Sequence, residues 1–235
     1  MTLSWATGTH QGLVRSNNQD TVFPEASGTV DVALVVAVAD GMGGHVAGEI
    51  ASSVALAAAV ATDGSPGQRV AAGNEAVVAR SEQDSTLRGM GTTITLAEIA
   101  PDGRLVIGHV GDSRAYLLRN DAISQLTRDH TVVAEYVASG KINPEDVASH
   151  PQRSVLTRAA GLTRDLPIDQ LEERMVAGDR LILCSDGLSN MIDDDAIRRI
   201  ASDGTAEATV WALIEAANQA GGHDNITVAV VDLLP

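Results

Sequence analysis

A chain of 235 residues with 31 acidic against 16 basic side chains carries a net charge of −15. That charge repels nucleic acid and anionic membrane surfaces at long range and excludes binders that rely on a basic footprint. The apolar share of 44% is mostly Ala, Val, Leu and Ile, with Trp5, Phe23, Tyr116, Tyr136 and Trp211 as the aromatics, so a core must be packed from small aliphatic groups.

The opening MTLSWATGTHQG has no basic segment followed by a long apolar one, and residues 51 to 61 are too short and too rich in alanine to span a bilayer. The single cysteine, Cys184, rules out an intrachain disulfide and fits a reducing compartment. The expectation is a soluble cytoplasmic monomer with no membrane or nucleic-acid partner. Its length suits one enzyme unit, so residues 1–235 are read as a single domain.

Thr21-Val22-Phe23 reads as a short extended piece, followed by a strand from Leu34 to Ala39. Helices are expected over Ala47 to Ala61 and Gln68 to Gln83, both alanine-rich with apolar spacings of three and four. Thr93 to Ala100 turns through Pro101-Asp102-Gly103 into Leu105 to Val110 as a hairpin, and Ala115 to Arg119 turns through Asn120-Asp121 into Ala122 to Leu126 as another. Residues 128 to 153 are polar, hold Gly140, Pro144 and Pro151, and read as an excursion over the surface with a helix at Thr131 to Ala138. Strands at Arg180 to Cys184 and Ile226 to Leu233 enclose helices at Asp194 to Ala201 and Thr205 to Ala220. Hairpins imply antiparallel pairing and the helices come in groups, which favours an α+β layered sandwich over a doubly wound parallel sheet.

The aspartates fall at strand termini. Asp40 ends one strand, Asp112 follows another by a glycine, Asp186 follows a third by a serine, and Asp20 and Asp224 lie just before strands. In an antiparallel sheet the start of one strand lies beside the end of its neighbour, so all five can meet on one edge. Five uncompensated negative charges would raise one another's pKa values at a cost of several kcal/mol, and divalent cations remove that cost. An all-oxygen donor set selects hard ions such as Mg²⁺ or Mn²⁺, and no His/Cys cluster has zinc spacing. Any one Asp-Gly is ordinary turn punctuation, as at Asp63, Asp102 and Asp203; the weight lies in the set. Gly41 lets its own carbonyl approach an ion because no Cβ intervenes.

RSNNQD (15–20), DGMGGH (40–45), MGTT (90–93), HVGDSRAY (109–116), LTRAAG (156–161), CSDGL (184–188) and GGHDNIT (221–227) resemble, in order and spacing, the PPM family of metal-dependent Ser/Thr phosphatases, the PP2C type, in its bacterial catalytic-domain form. The resemblance covers essentially the whole chain. It implies a four-layer α-β-β-α sandwich, two antiparallel β-sheets flanked by helices, with a two-metal centre at one end. By the same resemblance Asp40 bridges two Mg²⁺ or Mn²⁺ ions, the carbonyl of Gly41 ligates one, Asp186 and Asp224 hold the other, and Asp20 acts largely through metal-bound water. Asp112 with Asp186 makes a third, weaker metal site. Arg15 binds the substrate phosphate, and residues 131–151 correspond to the family's flap.

Phosphate monoester hydrolysis requires a catalyst to supply on the order of 20 kcal/mol or more. Two ions about 3.5 to 4 Å apart activate a shared water for in-line attack and neutralise developing charge. The planar fork of Arg15 suits the remaining phosphoryl oxygens. The implied activity is hydrolysis of phosphoserine and phosphothreonine in signal transduction, with phosphoproteins and Ser/Thr kinases as partners. The alternatives are a metal-dependent phosphatase of small phosphoesters and a non-catalytic phosphoprotein-binding module.

One departure concerns the proton donor. Many eukaryotic members carry histidine at the position of Met42, where it serves as general acid, and methionine cannot donate a proton. His45 reads as a turn or supporting residue. Cys184 reads as core, Thr92, Thr93 and Ser113 as hydrogen-bonding supports, and Arg158 as half of a structural ion pair.

Overall fold

A computed structural model describes residues 1–42 and 47–235; Gly43, Gly44 and His45 lie outside the described residues. The strands in chain order are β1 (Thr2–His10), β2 (Asp20–Phe23), β3 (Ser27–Val30) and β4 (Leu34–Met42), then β5 (Gly91–Thr92), β6 (Ile94–Ile99) and β7 (Arg104–Val110). They continue with β8 (Arg114–Arg119), β9 (Ala122–Gln125), β10 (Asp169–Arg174), β11 (Arg180–Cys184) and β12 (Ile226–Leu234). The α-helices are α1 (Ala47–Ala61), α2 (Pro66–Gln83), α3 (Val132–Ala138), α4 (Asp186–Ser189), α5 (Asp194–Ala201) and α6 (Ala206–Gln219).

One sheet runs β3-β1-β12-β11-β8-β9 and the other β10-β7-β6-β4-β2, with β5 joined to β4, and the strand pairs are antiparallel. Leu3, Val36, Val38, Ile107, Leu181, Leu183 and Val231 form the core between the sheets. On one outer side Ile182, Val228 and Val230 pack beneath Val210, Leu213 and Ile214 of α6; on the other, Ala37 and Ala39 pack beneath Ala51, Ala55 and Ala59 of α1. The result is the expected α-β-β-α sandwich. It explains the unbroken apolar run of β4: alternate residues face opposite ways and both faces are covered. Alanines at 37 and 39 meet alanines of α1, which brings helix and sheet close together.

Local chemistry sets the boundaries. Ser65 caps α2 through a reciprocal pair with Gln68, and Pro66 occupies the first turn, so this helix begins two residues before the expected Gln68. Thr131 and Thr205 are caps rather than first helical residues, each accepting from a backbone N–H three residues on. The 120–121 turn has φ values of 50° and 60°, the left-handed pair that a two-residue hairpin requires.

Four strands are not apparent in the sequence, one of them the two-residue β5. β1 is diluted by Gly8 and three threonines, and β3 and β10 are short edge pieces with polar or charged residues. The strand containing Asp40 also differs from expectation. It does not end there but continues to Met42, where β4 parts from β6 and pairs with β5 instead. Residues 131–156 cross the surface as α3 and a 3₁₀ turn at Pro144–Ser149, tied at their base by the Thr131–Leu156 bridge. No helix among the described residues is long and apolar enough to cross a membrane.

Candidate active site

A cleft of about 460 Å³ opens at one end of the sandwich, lined by Arg15, Asp40, Gly41, Asp112, Asp186 and Asp224, together with Gln19, Met42, Thr93, Leu156, Leu162 and Asn225 among others. Six of the seven expected site residues therefore border one space. The seventh, Asp20, lies buried behind it, directly across the ladder from Asp40.

Each side chain is placed by a short, well-bonded stretch of backbone. The N–H of Asp40 donates to Thr93 Oγ1 at 2.9 Å, and its carbonyl accepts from Thr92 Oγ1 at 2.9 Å and from the Thr93 N–H at 2.9 Å. Thr93 in turn meets Ser113 through their hydroxyls at 2.7 Å, linking the strand that carries Asp40 to the turn that carries Asp112. Gly41 is also required by packing. A Cβ there would lie 2.1 Å from the Gly48 carbonyl oxygen and 2.6 Å from that of Gln19, so close packing of α1 on β4 demands glycine.

Asp186 opens α4, immediately after β11. Its Oδ2 accepts from Asn190 Nδ2 at 2.9 Å, while its Oδ1 is buried without a partner. Asp20 Oδ2 accepts from Thr227 Oγ1 at 2.6 Å and Ser185 Oγ at 2.8 Å, and its Oδ1 is likewise buried and unpartnered. Arg15, more than half exposed on the loop before β2, contacts Asp224 Oδ2 at 2.6 Å.

That loop is organised by Asn225, a residue the sequence reading missed. Its Nδ2 donates to the carbonyls of Gln11 at 2.8 Å and Asn17 at 2.9 Å, and its Oδ1 accepts from the Gln19 N–H at 2.8 Å. Ser185 and Thr227, which fix Asp20, were missed as well. All three sit inside blocks already quoted, CSDGL and GGHDNIT, but hydroxyls and amides reveal a positioning role only once their partners' strands are in register.

The electrostatics follow from burial of like charges. Loss of hydration pushes Asp20 up to about 7 even against its two hydroxyl donors. The same cause, with the charges of Asp186 and Asp129, raises Asp112 to about 8. Asp40 is raised by burial and then by Asp20, Asp186 and Asp112, and Asp186 by burial and then by Asp224. Among the described residues no three acidic, imidazole or thiol side chains form a closed cage.

The residues nevertheless fit hard divalent ions. The donors are carboxylate oxygens, two of them are orphaned at a depth where an unpaired polar atom costs about 1–3 kcal/mol, and the carboxyls hold protons more tightly than an exposed aspartate. A cation would satisfy the orphans and return the group to its ionised state.

Other residues take supporting places. Cys184 is fully buried, with its thiol pushed up to about 12 by desolvation, which makes it inert. Arg158 pairs with Asp169 at 2.9 Å. Buried His109 and His130 stack at 4.9 Å, and His130 Nδ1 accepts from the Gly111 N–H at 3.1 Å, beside Asp112.

Similarity to known proteins agrees with this geometry. A profile described as Protein phosphatase 2C matches residues 7–220. The serine/threonine protein phosphatase PstP of Mycobacterium tuberculosis is 42% identical over 244 residues, covering 100% of this chain and 46% of that protein, so the chain spans about half the length of this relative. The serine/threonine phosphatase stp of Listeria innocua is 37% identical over 240 residues, covering 95% of this chain and 93% of that protein. The crystal structure of the PstP catalytic domain in complex with two manganese ions superimposes with a TM-score of 0.88 at 37% identity, covering 100% of this chain and 99% of that one.

Proposed function

Because the chain belongs to the protein phosphatase 2C family, we propose that it is a metal-dependent protein Ser/Thr phosphatase that hydrolyses phosphoserine and phosphothreonine with Mg²⁺ or Mn²⁺. One observation carries the reading: Asp40, Asp112, Asp186 and Asp224 meet in a single cleft with Arg15 at its edge, and buried carboxylate oxygens there lack partners. Asp40, Asp186, Asp224 and the Gly41 carbonyl would hold two ions, Asp20 would act behind them through water, and Asp112 with Asp186 would hold a third. The related PstP catalytic domain is in complex with two manganese ions, which supports a two-metal centre. Such ions, when bound, supply an activated water and neutralise charge that develops on the phosphoryl group.

The chain's own residues do the rest. Arg15 reaches the cleft on a flexible stem whose base is fixed by the Asn225 clamp, and its guanidinium gives two parallel donors to phosphoryl oxygens. The pairing with Asp224 keeps that fork in place before substrate arrives. Ser185 and Thr227 hold one oxygen of Asp20 and leave the other without a hydrogen-bond partner. Met42 lines the cleft but cannot protonate a leaving alkoxide.

The substrates proposed are phosphoproteins, among them Ser/Thr kinases and their targets, met in the cytoplasm by a monomer with no membrane or nucleic-acid partner. A small-phosphoester hydrolase and a non-catalytic binding module are the less favoured readings, since the named relatives are Ser/Thr phosphatases and Arg15, Asp20, Asp40, Asp112, Asp186 and Asp224 are all present. The decisive assay follows dephosphorylation of a phosphothreonine peptide with Mn²⁺, with chelator, and in Asp186→Ala. Chelation and the substitution should each remove nearly all turnover, at least about 10³-fold. Metal-independent turnover would refute the proposal.

A further inference from the structure

The cleft that presents Arg15 and the aspartates also has an apolar lining: Met42, Leu156 and Leu162. Leu162 is 56% exposed and nearby Val155 is 45% exposed. A lone exposed leucine needs no explanation, but Leu162 is held in place. The Gly161 N–H donates to Asn74 Oδ1 at 2.8 Å, and Asn74 Nδ2 donates to the Thr163 carbonyl at 2.9 Å, so one buried amide on α2 grips the backbone on both sides of the leucine. Just before, Ala160 and Thr92 exchange backbone hydrogen bonds of 2.8 and 3.0 Å. Gly161 has a φ of +97°, and a Cβ there would lie 2.4 Å from Val77 Cγ1, so this turn admits little else. Met42 shares the place: a Cβ on Gly91 would lie 2.7 Å from Met42 Cε and 3.5 Å from Leu162 Cδ2, so both side chains lie over Gly91.

We propose that Met42, Leu156 and Leu162 form an apolar wall of the cleft that selects phosphoproteins with an aliphatic residue next to the phosphorylated serine or threonine. This specificity rests on the phosphatase reading above. With the phosphate drawn to Arg15, the adjoining residues of the substrate must lie along the cleft lining. An aliphatic side chain gains there by leaving water, whereas a carboxylate or amide laid against these three side chains gains no hydrogen bond from them, Ser154 and Gln19 being among the polar groups elsewhere in the lining. The contact is made equally in the bound substrate and at the transition state, so the preference belongs in KM rather than kcat.

The test is steady-state kinetics with Mn²⁺ on phosphothreonine peptides that differ only in the two residues flanking the phosphoresidue: Leu, Asn or Asp. The wild type should favour Leu over Asn about tenfold in kcat/KM, through KM. Leu162→Ser should bring that ratio to within about twofold of unity, and Leu162→Met should preserve it. A wild-type ratio near one, or a tenfold ratio that survives Leu162→Ser, overturns the inference. So does a Leu162→Ser chain that keeps the ratio but changes mass in solution, since Leu162 would then serve contact between copies. If no phosphopeptide is hydrolysed under any condition, the phosphatase reading itself falls and takes this inference with it.

Discussion

Asp186, just past the end of β11, and Asp232, on the neighbouring strand β12, are both acidic side chains largely withdrawn from water, and they differ in what faces them. Asp232 lies directly across from Arg180, which reaches its two oxygens at 2.5 and 2.9 Å. The rest of that guanidinium donates to the Ala201 carbonyl at 2.6 Å, to Thr209 Oγ1 at 2.8 Å and to the Gly204 carbonyl at 2.8 Å. Asp186 stands beside Asp40 and Asp224, feels Arg15 and Arg114 without a direct ion pair, and has one buried oxygen with no hydrogen-bond partner. Where a buried carboxylate serves the fold, the chain supplies the cation; where it serves the cleft, the place of the cation is left to something from outside. The comparison explains how so acidic a chain folds without an internal cation against its buried active-site carboxylates; of the rim's acids it is the more exposed Asp224 that pairs, with Arg15.

Removing the internal cation should give the structural pair the same uncompensated charge that the rim has. Arg180→Ala leaves Asp232 buried and unpaired, and should lower stability by about 3–5 kcal/mol, read from the urea midpoint. An unchanged midpoint would end the contrast.

His109 represents a third arrangement, burial without charge. Its pKa is lowered to about 4, first by burial and then by the charge of His130. A histidine held neutral in the fold stabilises fully above its unfolded value of about 6.5, and that stability is lost as pH falls from there toward 4, by about 3 kcal/mol. In metal-free protein the rim acts in the opposite sense. The raised values of Asp20 and Asp112 oppose folding at high pH and favour it as pH falls from about 8 toward 4. The difference between wild type and His109→Gln across that range isolates the imidazole: the variant should lose less stability on acidification, and parallel curves would contradict the assignment.

Arg15 gives the smallest free-energy effect and the cleanest separation of roles. Arg15→Ala should lower kcat/KM about a hundredfold, as loss of one charge-stabilising donor does. Its pair with Asp224 is solvent-exposed, so stability should move by less than about 0.5 kcal/mol. A large stability loss would make Arg15 a structural residue.

Much of this was legible in the sequence, for identifiable reasons. Strand β11 falls on the expected residues because both its faces are buried, α5 because it is strongly amphipathic, and α1 because it is rich in alanine. β1, β3 and β10 take their strand character from their neighbours, which single-chain periodicity cannot register. The convergence of aspartates followed from their places at strand ends. The supports did not: Ser185, Thr227, Asn225 and Asn74 act through hydrogen bonds to residues distant in sequence, and Asn74 lies on a helix face that reads as ordinary core.

The contrast between the two carboxylate clusters is tested most directly by counting bound Mn²⁺ and following the melting temperature in metal-free wild type, Asp186→Ala and Asp40→Asn as Mn²⁺ is added. The wild type should bind at least two ions and gain about 2.7 kcal/mol of stability at a hundredfold excess over Kd, with both variants losing ions and most of that gain. If the wild type binds none, or the variants bind as many as it does, the carboxylates at the rim are not waiting for a cation.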